Sequence, residues 1–286
     1  MRYLIFLSVF LVQITPFLTQ KEHELSKKLK EVSGICIYKD SIIFAHNDGG
    51  NKPIIYVLNL EGKVMSQCLV ANVKNKDWED ITCDGNGNLF IGDFGNNFSK
   101  RKDLSIIKIP IKQVLNRSEA KASVYSFQYK SQSNFPPSKE KLDYDAESLV
   151  CDGDNLWIFS KCNDKPYSGV SFVYKIPLKE LASKMILQPF STIKAGKRGW
   201  LFDSFTAGTY YKGAFYLSTY NRLIKYKLKK KTFELKKTLL YKKFNQKEAI
   251  SINSKGVLYL ANEKNKLLGP ASLRIIKKWI NANYFV

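Results

Sequence analysis

One pattern constrains this chain more than any other: a strand–turn–strand–loop–strand unit that recurs in five copies along 286 residues. The first copy opens at Ser33-Gly34-Ile35, turns at Lys39-Asp40, and continues through residues 42–46 and 53–58. The second opens at Glu79-Asp80-Ile81, turns at 84–87, and runs through 89–93 and 104–109. The third uses Glu147-Ser148-Leu149, the turn Asp152-Gly153-Asp154, then 156–160 and 172–176. The fourth uses Thr206-Ala207-Gly208, Lys212-Gly213, 215–219 and 223–226. The fifth uses Glu248-Ala249-Ile250, the turn 254–256, 258–262 and 273–276.

Each copy holds β-branched and aromatic runs bounded by turn-forming residues, the pattern of short antiparallel strands. Weaker fourth strands are expected at 64–70, 124–129, 186–193 and 238–241. A single four-stranded unit leaves apolar side chains bare on both faces, so successive units must stack about an axis. The chain is therefore expected to be an all-β β-propeller with four-stranded antiparallel blades. Five blades are favoured, and a sixth has room only in the stretches after Pro110 or Pro177. No fourth strand follows the last copy. Residues 24–32 are expected to fill that gap and close the ring, which removes a free sheet edge. Short helical turns are expected at 111–115 and 178–183, and residues 21–286 read as a single propeller domain.

Residues 1–20 read as a signal peptide, with Arg2 ahead of an apolar stretch at 3–12 too short to cross a bilayer. No Cys follows closely, which argues against a lipoprotein anchor. A periplasmic or secreted location is expected, with no transmembrane span in the mature chain. The formal net charge is +21, enough to draw acidic polymers to a basic surface. The excess is lysine scattered along the chain, whereas base reading favours Arg, so specific nucleic-acid recognition is not expected. The 5 Cys are odd in number and contain no Cys-x-x-Cys pair, so they form neither a disulfide framework nor a zinc motif. A single disulfide is compatible with them, but spacing does not select the pair. A monomer is expected.

Aligning the copies places Ser33, Glu79, Glu147, Thr206 and Glu248 at the start of successive inner strands. Second strands end at His46, Asp93, Ser160, Thr219 and Asn262, followed by Asn47-Asp48, Lys161, Tyr220 and Glu263. Two polar rings facing the axis are expected. Carboxylates gathered in a channel either share protons or share a cation, and Ca²⁺ takes six to eight oxygen ligands. Glu79, Asp93, Glu147 and Glu248 are the expected metal ligands. Asn47, Asp48, Trp78, Asn96, Lys161, Thr206 and Glu263 complete the expected binding surface. The competing reading is a structural polar network, with lysines such as Lys161 pairing the acids. Only His23 and His46 are present, which excludes a histidine-rich metal site, and no nucleophile elbow, P-loop or dinucleotide fingerprint occurs.

The series His46-Asn47-Asp48-Gly49-Gly50, Asp77-Trp78-Glu79-Asp80-Ile81, Gly92-Asp93-Phe94-Gly95-Asn96-Asn97 and Asp145-Ala146-Glu147 resembles a family of secreted bacterial β-propeller proteins. Thr206-Ala207-Gly208 and Glu248-Ala249-Ile250 continue the match over most of the chain. More distantly, the chain is similar to gluconolactonase, phytase-like and strictosidine-synthase-like propellers, some of which hold Ca²⁺ in the channel. The resemblance implies fold more than chemistry, since the phosphate-binding Arg and Lys pattern of the phytase-like enzymes has no counterpart here. The expected function is a binding or scaffold protein with a polar, Ca²⁺-binding channel, whose ligand is a protein, a glycan or a small molecule. The alternative is a Ca²⁺-dependent hydrolase of the lactonase or phosphoesterase type.

Overall fold

Apolar side chains on both faces of each second strand dictate the architecture. In Asn155–Lys161, Leu156 and Ile158 enter one core while Trp157 and Phe159 enter the next. In Asn88–Asp93, Leu89 and Ile91 face one neighbour and Phe90 the other. A strand projects alternate side chains to opposite faces, so a sheet made of such strands needs a partner on each side. The computed structural model, which describes residues 20–279, shows that requirement met by a ring of five blades.

From the axis outward, the first blade is Val32–Tyr38, Ile42–Asn47, Ile54–Leu58 and Val64–Val70. The second is Trp78–Cys83, Asn88–Asp93, Leu104–Pro110 and Ser123–Tyr129. The third is Asp145–Cys151, Asn155–Lys161, Val170–Pro177 and Ser191–Lys194. The fourth is Ala207–Tyr211, Ala214–Ser218, Arg222–Lys229 and Thr232–Leu240. The fifth is Lys247–Ile252, Leu258–Asn262, Ser272–Ile276 and, from the start of the chain, Gln20–Glu24. Inner strands of neighbouring blades touch all the way round, the fifth against the first. Five apolar clusters, one at each blade interface, form the core. Each fully buried Phe or Leu in them contributes about 1.5–3 kcal/mol.

Several local expectations need correction, among them the outer strand of the fourth blade, which runs over Thr232–Leu240 rather than 238–241. The ring is closed by Gln20–Glu24 rather than by 24–32; Gln20 pairs with Ile276 and Glu24 with Ser272. Residues 24–32 instead hold the turn Lys27–Leu29, which seats Leu29 in the core between the fifth and first blades. The stretch 186–193 is not one strand. Lys184–Leu187 adds in parallel to the edge of the second blade, and Ser191–Lys194 completes the third. Glu119–Ala120 similarly lengthens the first blade. The stretches after Pro110 and Pro177 therefore reinforce existing edges and form no sixth blade. The short helix Ile111–Asn116 and the turn Leu178–Glu180 lie within them. Residues 1–19, nearly all of the expected signal peptide, lie outside the described residues. Among the described residues, no helix is long and apolar enough to cross a membrane.

Candidate metal centre

A repeated irregularity in strand pairing builds the site. In four blades the ladder between inner and second strands skips one residue, between Val32 and Gly34, Trp78 and Asp80, Ala146 and Ser148, and Lys247 and Ala249. The skipped residues are Ser33, Glu79, Glu147 and Glu248. A β-bulge leaves its extra residue unpaired and re-aims its side chain. In the fourth blade Thr206 takes the equivalent place, its N–H donating to the Ser218 carbonyl. The hydroxyls of Ser33 and Thr206 stitch blade to blade, donating at 2.6 Å to the carbonyls of Glu79 and Lys247.

The carboxylates gather at this end of the channel. One oxygen each from Glu79, Asp145 and Glu147 lies within 4.8 Å of the others, and the same holds for Asp48, Asp77 and Glu79. Glu79, common to both sets, is 5% exposed. Burial, followed by the charges of Glu147, Asp48, Asp145 and Asp77, pushes its carboxyl well above the usual carboxylate range. No hydrogen bond to its carboxylate is found among the described residues. Burial and neighbouring acids also raise Asp77 to about 6 and Glu263 to about 7. Asp48 is raised chiefly by burial, which outweighs the N–H of Gly49 donating to Oδ1 at 2.6 Å.

The other acids have partners. Glu147 and Lys161 form a buried ion pair at 2.6 Å, with Lys161 also lying 5.8 Å from the centre of the Trp200 ring. Glu248 accepts from the Tyr220 hydroxyl at 2.8 Å. Asp93 is clamped by Arg101 at 2.8 Å and accepts the Asp77 N–H at 3.1 Å. Asp145 accepts from the Asn96 N–H at 2.7 Å and from Asn163 Nδ2 at 2.8 Å. Glu263 accepts from Gln246.

Of the residues expected to hold a metal, Glu79 and Glu147 thus sit in one cluster, Glu248 sits beside it on a tyrosine, and Asp93 faces an arginine. Asn47 donates to the Lys28 carbonyl at 2.8 Å, while its own Oδ1 is enclosed without a partner. Asn96 orders the loop after Asp93, donating to the Tyr144 carbonyl at 3.1 Å and accepting the Arg101 N–H at 2.9 Å. Trp78 is fully buried in the core between the first two blades, edge-on to His46 at 5.6 Å. It sits beneath the site rather than on its surface. Burial holds the His46 ring down to about 4, so it is neutral at physiological pH.

Asp77 and Asp145 were not expected as ligands. The signal for Asp77 lies in two glycines. A Cβ at Gly95 would fall 1.9 Å from Glu79 Oε1, and one at Gly49 would fall 2.2 Å from Asp77 Oδ1. Those loops are glycine-bearing because carboxylates press against their backbone. Asp80 is a different case, a fully buried carboxylate that accepts from the Ile81 and Leu149 N–H groups and ties the second blade to the third. A cavity of about 840 Å³ lies at the opposite end of these strands among Asp84, Asn88, Lys108, Asp154 and Lys175. Its mixed charges are spread over an open groove and do not converge.

No family model matches the sequence, and no curated protein matches it significantly. Solved structures do match in shape. An oxidoreductase (glucose dehydrogenase) from Thermus thermophilus gives a TM-score of 0.51 at 9% identity, over 90% of this chain and 100% of that one. A luciferin-regenerating enzyme gives 0.50 at 14%, over 89% and 80%. The PQQ-bound aldose sugar dehydrogenase of Streptomyces coelicolor gives 0.49 at 10%, over 91% and 99%. At such identities the likeness concerns the fold. The chain is a five-bladed β-propeller.

Proposed function

We propose that this propeller binds a hard divalent cation, Ca²⁺ first, through Asp48, Asp77 and Glu79, with Asp145 and Glu147 alongside. The cation then holds an oxygen-rich small molecule or glycan at the open end of the channel. One observation carries the reading: a buried, unbonded Glu79 carboxylate shared by two acid triads. Burying several acids with one lysine is costly unless protons or a cation neutralise them, and an all-oxygen set suits Ca²⁺. The rim adds apolar contact for a carbon skeleton. Trp200, Phe202 and Phe244 are exposed there, Phe244 packing 6.2 Å from Tyr220. A secreted location agrees with millimolar external Ca²⁺, the regime of weak extracellular sites.

Calorimetry on chelator-stripped protein tests the cation. Saturable Ca²⁺ binding that disappears in Asp77→Asn and Glu79→Gln is expected, and heat that is unchanged in both variants would refute the assignment. A second reading, a Ca²⁺-dependent hydrolase of lactones or phosphoesters, draws on the Glu147–Lys161 pair and the Tyr220 hydroxyl as proton carriers beside the cation. It requires turnover that is lost with chelator and in a folded Glu147→Gln variant. A binding protein instead shows ligand retention without turnover.

A further inference from the structure

Beyond the central cluster, the loops leaving Asn155–Lys161 and entering Asp145–Cys151 bring Asp143, Cys162 and Asp164 together. One oxygen of each acid and the thiol sulfur lie within 4.8 Å of one another. Cys162 is 2% exposed and Asp164 6%. Oδ1 of both Asp143 and Asp164 is enclosed and lacks a hydrogen-bond partner. Two enclosed acids with unmet oxygens, beside a sulfur, are neutralised either by a proton they share or by a cation. Ser168 Oγ lies 3.3 Å from the sulfur, so a fourth donor is at hand.

We propose that Asp143, Cys162 and Asp164 form a second metal site, one that selects Zn²⁺ rather than Ca²⁺. Ca²⁺ takes oxygen ligands alone. A thiolate with carboxylates suits a borderline cation, and two oxygens to one sulfur are too hard a set for Cu(I). Zn²⁺ prefers four ligands, with Ser168 or a water as the fourth. On binding, the Cys162 thiol and the Asp143–Asp164 pair each release a proton to solvent, and a sulfur lone pair forms the metal bond. No electron is transferred, and affinity rises with pH.

The site would act as a clip. Asn163, between two of the ligands, donates to Asp145 Oδ2 at 2.8 Å. Zn²⁺ there fixes the loop that holds an acid of the central cluster, yet the assignment stands without that cluster binding anything.

Reduced, chelator-stripped protein would be titrated with Zn²⁺ by calorimetry and with Cd²⁺ by ultraviolet absorption, which reports sulfur-to-metal charge transfer. One saturable site with a charge-transfer band is expected, lost in Cys162→Ser and Asp164→Asn and retained in Cys36→Ser and Glu79→Gln. Zn²⁺ at a hundredfold above its Kd should raise the melting temperature by roughly 5–10 °C. A band surviving Cys162→Ser, binding without any band, or no saturable binding would each overturn the assignment. If Cys162→Ser does not fold, X-ray absorption on the Zn²⁺-loaded Cys36→Ser protein decides the matter. A sulfur at about 2.3 Å supports the site, and an oxygen-only shell removes it.

Discussion

Replacing Glu79 with Gln should make the metal-free protein more stable, although the residue is buried at the centre of the site. Its carboxylate lies within 4.8 Å of acids on two sides. At an effective dielectric near 20, each ionised pair at that distance costs about 3.5 kcal/mol. Protonation limits the penalty. Keeping at pH 7 a proton that an unfolded Glu loses near pH 4.3 costs about 3.7 kcal/mol. The folded value is raised, so the native state holds more protons than the unfolded chain, and this group's contribution to stability falls as pH rises above about 4.3. Gln has the shape without the titration. The variant should match the parent near pH 4 and exceed it by about 2–3 kcal/mol at pH 7, or roughly 5–10 °C in melting temperature. Saturating Ca²⁺ should reverse the order, because only the parent gains from the ion. Thermal melts at both pH values, with chelator and with Ca²⁺, read all four states. A Glu79→Gln protein that is less stable than its parent at pH 7 without metal would refute the reasoning, as would a gain equal at both pH values.

Lys161→Met should cost about 3–5 kcal/mol in urea unfolding, because it strands the Glu147 carboxylate in a buried pair, and adding Glu147→Gln should recover most of that loss. Gly95→Ala should weaken Ca²⁺ binding in calorimetry, since the new methyl group collides with Glu79 and Asp77, while Gly85→Ala, with open space around it, should leave affinity unchanged. Cys36 and Cys83 are free thiols whose sulfurs lie 2.7 Å apart on neighbouring inner strands. A glutathione redox buffer should join them with loss of two titratable thiols. The loop closed spans 47 residues, which corresponds to about 4 kcal/mol of stabilisation, read as a melting-temperature drop on adding reductant and absent in Cys83→Ser.

The blades were legible because strand alternation is written directly in residues such as Leu156-Trp157-Ile158-Phe159, which must feed two cores at once. The place of Glu79, Glu147 and Glu248 was legible because a bulge recurs at the same step of the repeat. Their partners were not. Asp93 reads as a channel acid until the loop after it folds back and delivers Arg101, a contact set by loop geometry rather than by period. Asp77 lies just ahead of its strand and Asp145 at the strand's first residue, two places before Glu147, where a repeat alignment gives no reason to choose them. Trp78 reads as part of the binding surface, but it lies in the core just ahead of the bulge at Glu79. The closing strand was displaced by several residues because QKEHE carries almost no apolar signal. An outermost strand buries little, and Gln20–Glu24 is held by its ladder and by Glu22 reaching Ser272 and Arg274.

That ladder has a consequence for how the molecule comes into being. Its two halves stand 250 residues apart at Glu22 and Ser272, so Gln20–Glu24 waits without its partner until the blades between them have emerged. Such distant pairing is slow to form and exposes an unmatched edge in the interval. Once zipped, it works as a seam. A cut in any single surface loop would leave two fragments still locked in one circle, and the molecule should resist limited proteolysis in function long after its backbone is no longer continuous.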